Sequence, residues 1–150
     1  MTNQQGFTLI ESLVSVAFIA IGFVGVFGLV NVSNDMLHNS IEREHLNDQS
    51  NAIIETLSAD ISGIETYKGK NLNVCEELKP NPGKKEETQF TRMKKWCEKI
   101  QGRLGDAQAE DKRIIHVEYI EEENVYVVAV ELTSRDGKNS SWVKRVFNAP

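Results

Sequence analysis

The chain has 150 residues, of which 40% are hydrophobic and 26% charged, and its formal net charge is -5. This length fits one domain, and a net negative charge argues against wholesale nucleic-acid binding. The sequence has no phosphate-binding glycine loop, no nucleophile motif and no Cys-x-x-Cys pair, and its three histidines are not spaced as metal ligands. We therefore expect no enzyme activity, no metal and no cofactor.

Residues 13–30 form an uncharged apolar run near the start of the chain. As an α-helix this run would be about 27 Å long, which is close to the hydrocarbon thickness of a bilayer. No cleavage pattern of a secretory signal peptide follows the run, and residues 1–6 carry no Lys or Arg. The run therefore predicts a single membrane-spanning helix that stays attached to the chain.

Glu11 lies just before this run, in a position where a charge needs an explanation. An acidic side chain costs roughly 2.5–3.5 kcal/mol at the centre of a bilayer and less near an end, and such residues are more often functional than accidental. Either Glu11 lies at the interface, where the helix N-terminus favours negative charge, or it has a cationic partner. Cleavage after Gly6 would supply that partner, because the new amine of Phe7 would lie one helical turn from Glu11.

The stretch Gly6-Phe7-Thr8-Leu9-Ile10-Glu11, followed by a long apolar run, resembles the N-terminus of type IV pilins and type II secretion pseudopilins. The continuation of the run is most similar to minor pilins of the PilV type. The resemblance implies three things. A prepilin peptidase cleaves after Gly6, the new N-terminal Phe7 is methylated, and Glu11 helps to dock each subunit into a filament. The leader departs from the family pattern because it lacks basic residues.

The resemblance also implies a location and a set of partners. The chain would cross the bacterial inner membrane once, with its C-terminal domain in the periplasm, and would then enter a pilus at the cell surface. Its partners would be membrane lipid before assembly, the prepilin peptidase, the inner-membrane assembly platform, and other pilins or minor pilins in a helical filament. The corresponding parts of the chain are a leader (1–6), a membrane-spanning or filament-core helix (7–30) and an exported domain (31–150).

Helix-forming residues at helical spacing continue beyond the apolar run. We expect one long helix from Phe7 to about Ser62, with Gly63 as its stop signal. The polar run at residues 47–51 should lie exposed or fray. After a loop at residues 67–88, a second and shorter helix is expected. Its apolar face consists of Phe90, Met93, Cys97, Ile100 and Leu104.

The two cysteines, Cys75 and Cys97, both follow the membrane-like segment. If that part of the chain is exported they should form a disulfide, because oxidising compartments favour disulfides and small exported domains need them. Two buried free thiols are the alternative.

The other face of the second helix carries four basic residues, here called the basic face: Arg92, Lys95, Lys99 and Arg103. Three interpretations stay open for it. The basic face is either a solvated surface or a contact for the acidic long helix of a neighbouring subunit. The third interpretation is a site for DNA phosphates, since some pilins take part in DNA uptake. Of the two partners, DNA is the less favoured.

Residues 113–120, 124–133 and 142–148 are rich in β-branched and aromatic side chains and are separated by turn-forming residues. They predict three antiparallel strands in a meander. One face of the middle strand is apolar throughout, and it consists of Tyr126, Val128, Val130 and Leu132. A long helix packed on that face gives an α+β, pilin-like fold, with the short helix and the disulfide in the linking region.

Taken together, these patterns favour a minor pilin that is cleaved, N-methylated and either incorporated into a type IV pilus or used to prime its assembly. A minor pseudopilin of a type II secretion system shares every N-terminal residue used above. A DNA-uptake pilin would use the basic face. A plain membrane-anchored domain with an accidental match to the leader is the remaining alternative.

Overall fold

The structure is a computed structural model, and it describes residues 8–80, 86–135 and 137–150. Contacts within the chain separate it into two units, with the boundary between Asn39 and Ser40. The first unit holds the N-terminal part of a single helix. The second unit holds the rest of that helix and every other element.

Helix α1 spans Leu9–Ser58 and is continuous over 50 residues. Its buried side chains all lie in the second unit: Leu46, Gln49, Ser50, Ile53, Ile54 and Leu57. Of the polar run that was expected to be exposed or frayed, Asn47, Asp48 and Asn51 are exposed, whereas Gln49 and Ser50 are buried, so the expectation is wrong at these two positions. They are buried because positions three and four apart on a helix are neighbours, which puts both on the face of Leu46 and Ile53.

Helix α1 ends at Ser58 rather than near Ser62, and a 3₁₀ helix, Ile61–Tyr67, follows it. Gly63 lies inside this 3₁₀ helix and does not terminate α1. Its absence of a side chain has a packing reason instead, because a Cβ atom at this position would lie 2.5 Å from Nε2 of Gln89. That atom is the far end of the Gln89 side chain on the second helix, so a larger residue at position 63 would require this side chain to move.

Helix α2 spans Glu87–Leu104 and buries the apolar face that the sequence predicted, with Leu104 half-buried at its end. The helix stops at Gly105, whose φ of 78° lies in the left-handed region that glycine adopts without strain. A disulfide joins Cys97, on the buried face of α2, to Cys75, with a Cα–Cα distance of 5.5 Å. The disulfide ties α2 to the segment that precedes it.

The sheet has four antiparallel strands rather than the three expected, in the order β1 (Lys70–Asn71), β2 (Arg113–Ile120), β3 (Val125–Thr133) and β4 (Ser140–Asn148). The added strand, β1, pairs Lys70 with Ile115 of β2 and lies in a segment that was expected to be a loop. Two residues are too few to show the alternation of side chains that marks a strand in a sequence. The other three strands lie where the sequence predicted them.

The predicted apolar face of β3 is confirmed, since Val128, Val130 and Leu132 belong to the buried core and Tyr126 packs against it. The same core contains the buried apolar side chains of α1 and α2. The α+β fold is therefore confirmed, with a long N-terminal helix on an antiparallel sheet, a short helix and a disulfide.

Candidate processing and assembly site

The first turn of α1 is built around Thr8 and Glu11. The Glu11 carboxylate accepts hydrogen bonds from the backbone N–H of Thr8 (2.9 Å) and from the Thr8 hydroxyl (3.0 Å). In the other direction, the backbone N–H of Glu11 lies 3.3 Å from Thr8 Oγ1. This arrangement is a capping box, in which the two side chains satisfy N–H groups that the start of a helix leaves without partners.

The capping box gives Glu11 a local role that the sequence analysis missed, although its signal, Thr-x-x-Glu before an apolar run, is readable. It also holds the carboxylate beside the backbone N–H of Thr8, the residue that follows Phe7 in the chain. Gly6 and Phe7 lie outside the described residues, so cleavage and methylation at these positions stay predictions.

The apolar side chains in the N-terminal part of α1 are not covered by any residue that the structure describes. Between Leu9 and Leu37, the exposed fraction of each large apolar side chain ranges from 48% at Val14 to 77% at Leu9. Over the described residues, α1 is the one helix long and apolar enough to cross a membrane, by length and composition. Exposed apolar surface of this extent indicates an apolar surrounding, either lipid or other protein.

A polar cluster joins the 3₁₀ helix to α2 through Asp60. Its Oδ2 atom accepts hydrogen bonds from the Tyr67 hydroxyl (2.9 Å), Gln89 Nε2 (3.1 Å) and Arg92 Nη1 (2.6 Å). Tyr67 is fully buried, and this burial is the main cause that raises the pKa of its hydroxyl to about 12. The cluster therefore positions α2 and commits one member of the basic face, Arg92, to a contact within the chain.

The structure divides the predicted basic face into bound and free side chains. Arg92 forms an ion pair with Asp60, and Nη1 of Arg103 lies 2.7 Å from Nδ1 of His45 on α1. Lys95 and Lys99 are exposed and form no ion pair with any residue that the structure describes. A continuous patch of four free cations is therefore not present, and the exposed part of this helix face is narrower than predicted.

A buried cation at the start of β2 was not foreseen. Arg113 is fully buried, and its Nη1 donates to the carbonyl oxygen of Gly105 over 3.1 Å. Its Nε and Nη2 atoms have no hydrogen-bond partner among the described residues. Burial lowers the pKa of the guanidinium, because removing a charge from water disfavours the charged form. Alternation along β2 places Arg113 on the same face as the buried Ile115 and Val117, but a charged side chain normally marks the solvent face, so a buried cation was not expected.

Within the described residues, no group of three or more His, Cys, Asp or Glu side chains is placed to hold a metal ion. At the start of α1, the capped Glu11 carboxylate precedes exposed apolar side chains.

The first 27 residues match the family described as the prokaryotic N-terminal methylation motif. With α1, this motif supports a type IV pilin-like or pseudopilin protein, a class of structural subunits rather than enzymes. The motif implies processing by a prepilin peptidase and assembly with other pilins, and the apolar helix fits membrane anchoring.

The match covers 27 of the 150 residues. Neither a curated protein nor a solved structure matches the chain. The resemblance to minor pilins of the PilV type thus stays a prediction.

Proposed function

We propose that this chain is a minor pilin that is incorporated into a type IV pilus or primes its assembly. Before assembly it would be held in the bacterial inner membrane by residues 7–30, with residues 31–150 in the periplasm. The prepilin peptidase would remove residues 1–6 and methylate Phe7. The subunit would then pass through the inner-membrane assembly platform into a filament at the cell surface.

The observation that carries this proposal is the exposed apolar part of α1, most of which lies within the residues that match the methylation motif. A permanent anchor needs only the apolar residues. A filament subunit, whose apolar helix leaves the lipid and packs against the same helix of other subunits, has two further requirements. It needs a free N-terminus at a defined residue, and it needs partners for its charges in an apolar surrounding. The motif supports the first requirement, and the carboxylate of Glu11 in the first turn of α1 supports the second.

The pairing follows from the position of Glu11. In a filament core, an unpaired carboxylate and an unpaired terminal amine would both be costly, because each would lose its hydration without compensation. The capping box holds the Glu11 carboxylate close to the start of the mature chain. From there the carboxylate would meet the amine of Phe7, either in its own chain or in a neighbouring subunit.

Two substitutions separate this charge pairing from helix capping. Glu11→Gln keeps a side chain that serves at the third position of a capping box but removes the charge. Thr8→Val removes the capping hydroxyl and keeps the carboxylate. We expect Glu11→Gln to be inserted and processed but to be at least about tenfold depleted in sheared filaments, since each 1.4 kcal/mol of lost pairing is a factor of ten. Thr8→Val should be incorporated nearly normally.

The measurement is the amount of the chain in sheared filament fractions relative to the membrane fraction. Normal incorporation of Glu11→Gln and of Glu11→Ala would exclude the pairing role. Glu122→Gln, in the exposed turn between β2 and β3, controls for the loss of one negative charge.

The methylation motif occurs in both pilins and pseudopilins, so it does not distinguish these two functions. Deletion of the gene does distinguish them. A minor pilin predicts loss of surface pili with normal exoprotein release. Loss of exoprotein release with normal pili would instead assign the chain to a secretion pseudopilus.

A further inference from the structure

The outermost side chains of α1 in the second unit form an acidic ridge, defined by Glu44, Asp48 and Glu55. All three are exposed, and spacings of four and seven residues place them on one face of the helix. That face points away from the core, because the buried positions Leu46, Ile53 and Leu57 lie on the opposite side. At about 1.5 Å per residue, the acidic ridge is about 16 Å long.

The outermost side chains of α2 form a basic ridge, defined by Lys95, Lys99 and Arg103. These residues are exposed, and their spacing of four residues aligns them along the helix over about 12 Å. Arg103 already contacts His45 on α1, whereas Lys95 and Lys99 contact no carboxylate among the described residues. The basic ridge is thus the exposed remainder of the basic face.

Some charges elsewhere on the second unit are paired within the chain. Lys112 pairs with Glu131 over 3.5 Å, and Lys94 lies 4.0 Å from Glu98. In contrast, none of the three acidic-ridge residues forms an ion pair with any residue that the structure describes. Two surfaces of opposite sign and similar length therefore stay available on one domain.

We propose that the basic ridge of one copy docks on the acidic ridge of a second copy of this chain. The contact joins two different surfaces, so each of two docked copies keeps one ridge that this contact does not use. Exposed ion pairs add little affinity and mainly set the orientation of the partners, so this contact alone would not hold two copies together. The inference therefore rests on the proposed function, in which the apolar helices bring the chains together. Confinement of the chains by their apolar helices would supply the high local concentration that such a contact needs.

The test uses the full-length chain in phospholipid vesicles, as an equal mixture of ¹⁴N- and ¹⁵N-labelled copies. The photo-crosslinker p-benzoylphenylalanine replaces Asn51, an exposed residue between Asp48 and Glu55 on α1. We expect crosslinked dimers that contain both isotopes, with the attachment on α2 near Lys95 and Lys99. Their yield should fall when NaCl is raised from 0.1 M to 1 M, because the Debye length shortens from about 10 Å to about 3 Å.

Reversal of the charges on each ridge tests the contact more specifically than the change in salt concentration. Lys95→Glu with Lys99→Glu should lower the dimer yield about tenfold, because like charges then face each other. Adding Glu44→Lys with Asp48→Lys to that chain should restore the yield, because the two ridges are then reversed together. The matched control, Lys144→Glu with Arg145→Glu on β4, changes the net charge by the same amount and should leave the yield unchanged.

Three results would overturn the proposal. The first is a dimer yield that does not respond to reversal of the basic ridge, as a solvated face predicts. The second is failure of the doubly reversed chain to recover. The third is salt-sensitive retention of duplex DNA that requires Lys95 and Lys99, without mixed-isotope dimers, which would make DNA the partner.

The N-terminal mass of the same preparation, purified from bacterial membranes, tests the proposed function separately. A methylated Phe7 without ridge-dependent dimers contradicts only the ridge contact. An uncleaved N-terminus contradicts the pilin function, whatever the dimer yield.

Discussion

The disulfide between Cys75 and Cys97 should contribute a large part of the stability of the second unit. The two cysteines are 22 residues apart, and the chain-entropy relation gives about 3.4 kcal/mol at 25 °C for a loop of this length. The second unit has about 110 residues, and its unfolding entropy is about 2.1 cal/mol/K per residue. Dividing the lost free energy of unfolding by the total unfolding entropy gives a fall of about 15 °C in Tm. Cys75→Ala with Cys97→Ala should therefore unfold at a much lower temperature than the parent chain.

The assay is thermal unfolding of the full-length chain in detergent, followed by tryptophan fluorescence. Trp96 is half-buried, with its ring centroid 5.8 Å from that of Tyr67, whereas Trp142 is 68% exposed. A Trp142→Phe background makes Trp96 the single reporter. Reductant should lower the Tm of the parent chain and leave that of the alanine variant unchanged. A difference in Tm below about 5 °C would refute the reasoning, because the loop-closure contribution would then be mostly absent.

Two further predictions concern buried polar groups. Burial raises the pKa of Tyr67 from 10.0 to about 12, so its stabilising contribution is complete below pH 10 and is lost as the pH rises from about 10 to about 12. Tyr67→Phe should remove this part of the alkaline loss of stability in a pH series of unfolding curves, and an unchanged profile would contradict the assignment. Arg113→Met should lower the free energy of unfolding by about 1–3 kcal/mol, because it leaves the Gly105 carbonyl without its donor and the buried Asp111 without the nearby cation. Chemical denaturation measures this, and an unchanged or raised free energy of unfolding would contradict the assignment.

Much of the fold is predictable from the sequence because its elements are long and periodic. The buried face of α2, from Phe90 to Ile100, follows the helical period, and β3 alternates cleanly at Tyr126, Val128, Val130 and Leu132. The disulfide follows from the number of cysteines and from the compartment in which an exported domain folds.

The remaining features depend on contacts that no local pattern records. Strand β1 exists only through its pairing with β2. Helical spacing puts Gln49 and Ser50 on the face of Leu46 and Ile53, but tertiary packing decides that these polar side chains are covered. Arg113 and the Asp60 cluster are likewise tertiary arrangements. In the candidate site, the Thr-x-x-Glu signal was present, but Glu11 was interpreted only through its charge and not through its hydrogen bonds to Thr8.

The contacts of the basic face were also not predictable from the sequence. Its four cations were readable at helical spacing, yet only the structure shows that Arg92 is bound to Asp60 and that Arg103 contacts His45. The exposed cations of this face, Lys95, Lys99 and Arg103, form the basic ridge.

The most direct test of the central claim is the mass of the mature N-terminus of the chain isolated from bacterial membranes. A pilin-like subunit predicts that the chain begins at Phe7, lacks residues 1–6 and carries one methyl group on its terminal amine. A chain that still begins at Met1, or an unmethylated Phe7, would contradict the account.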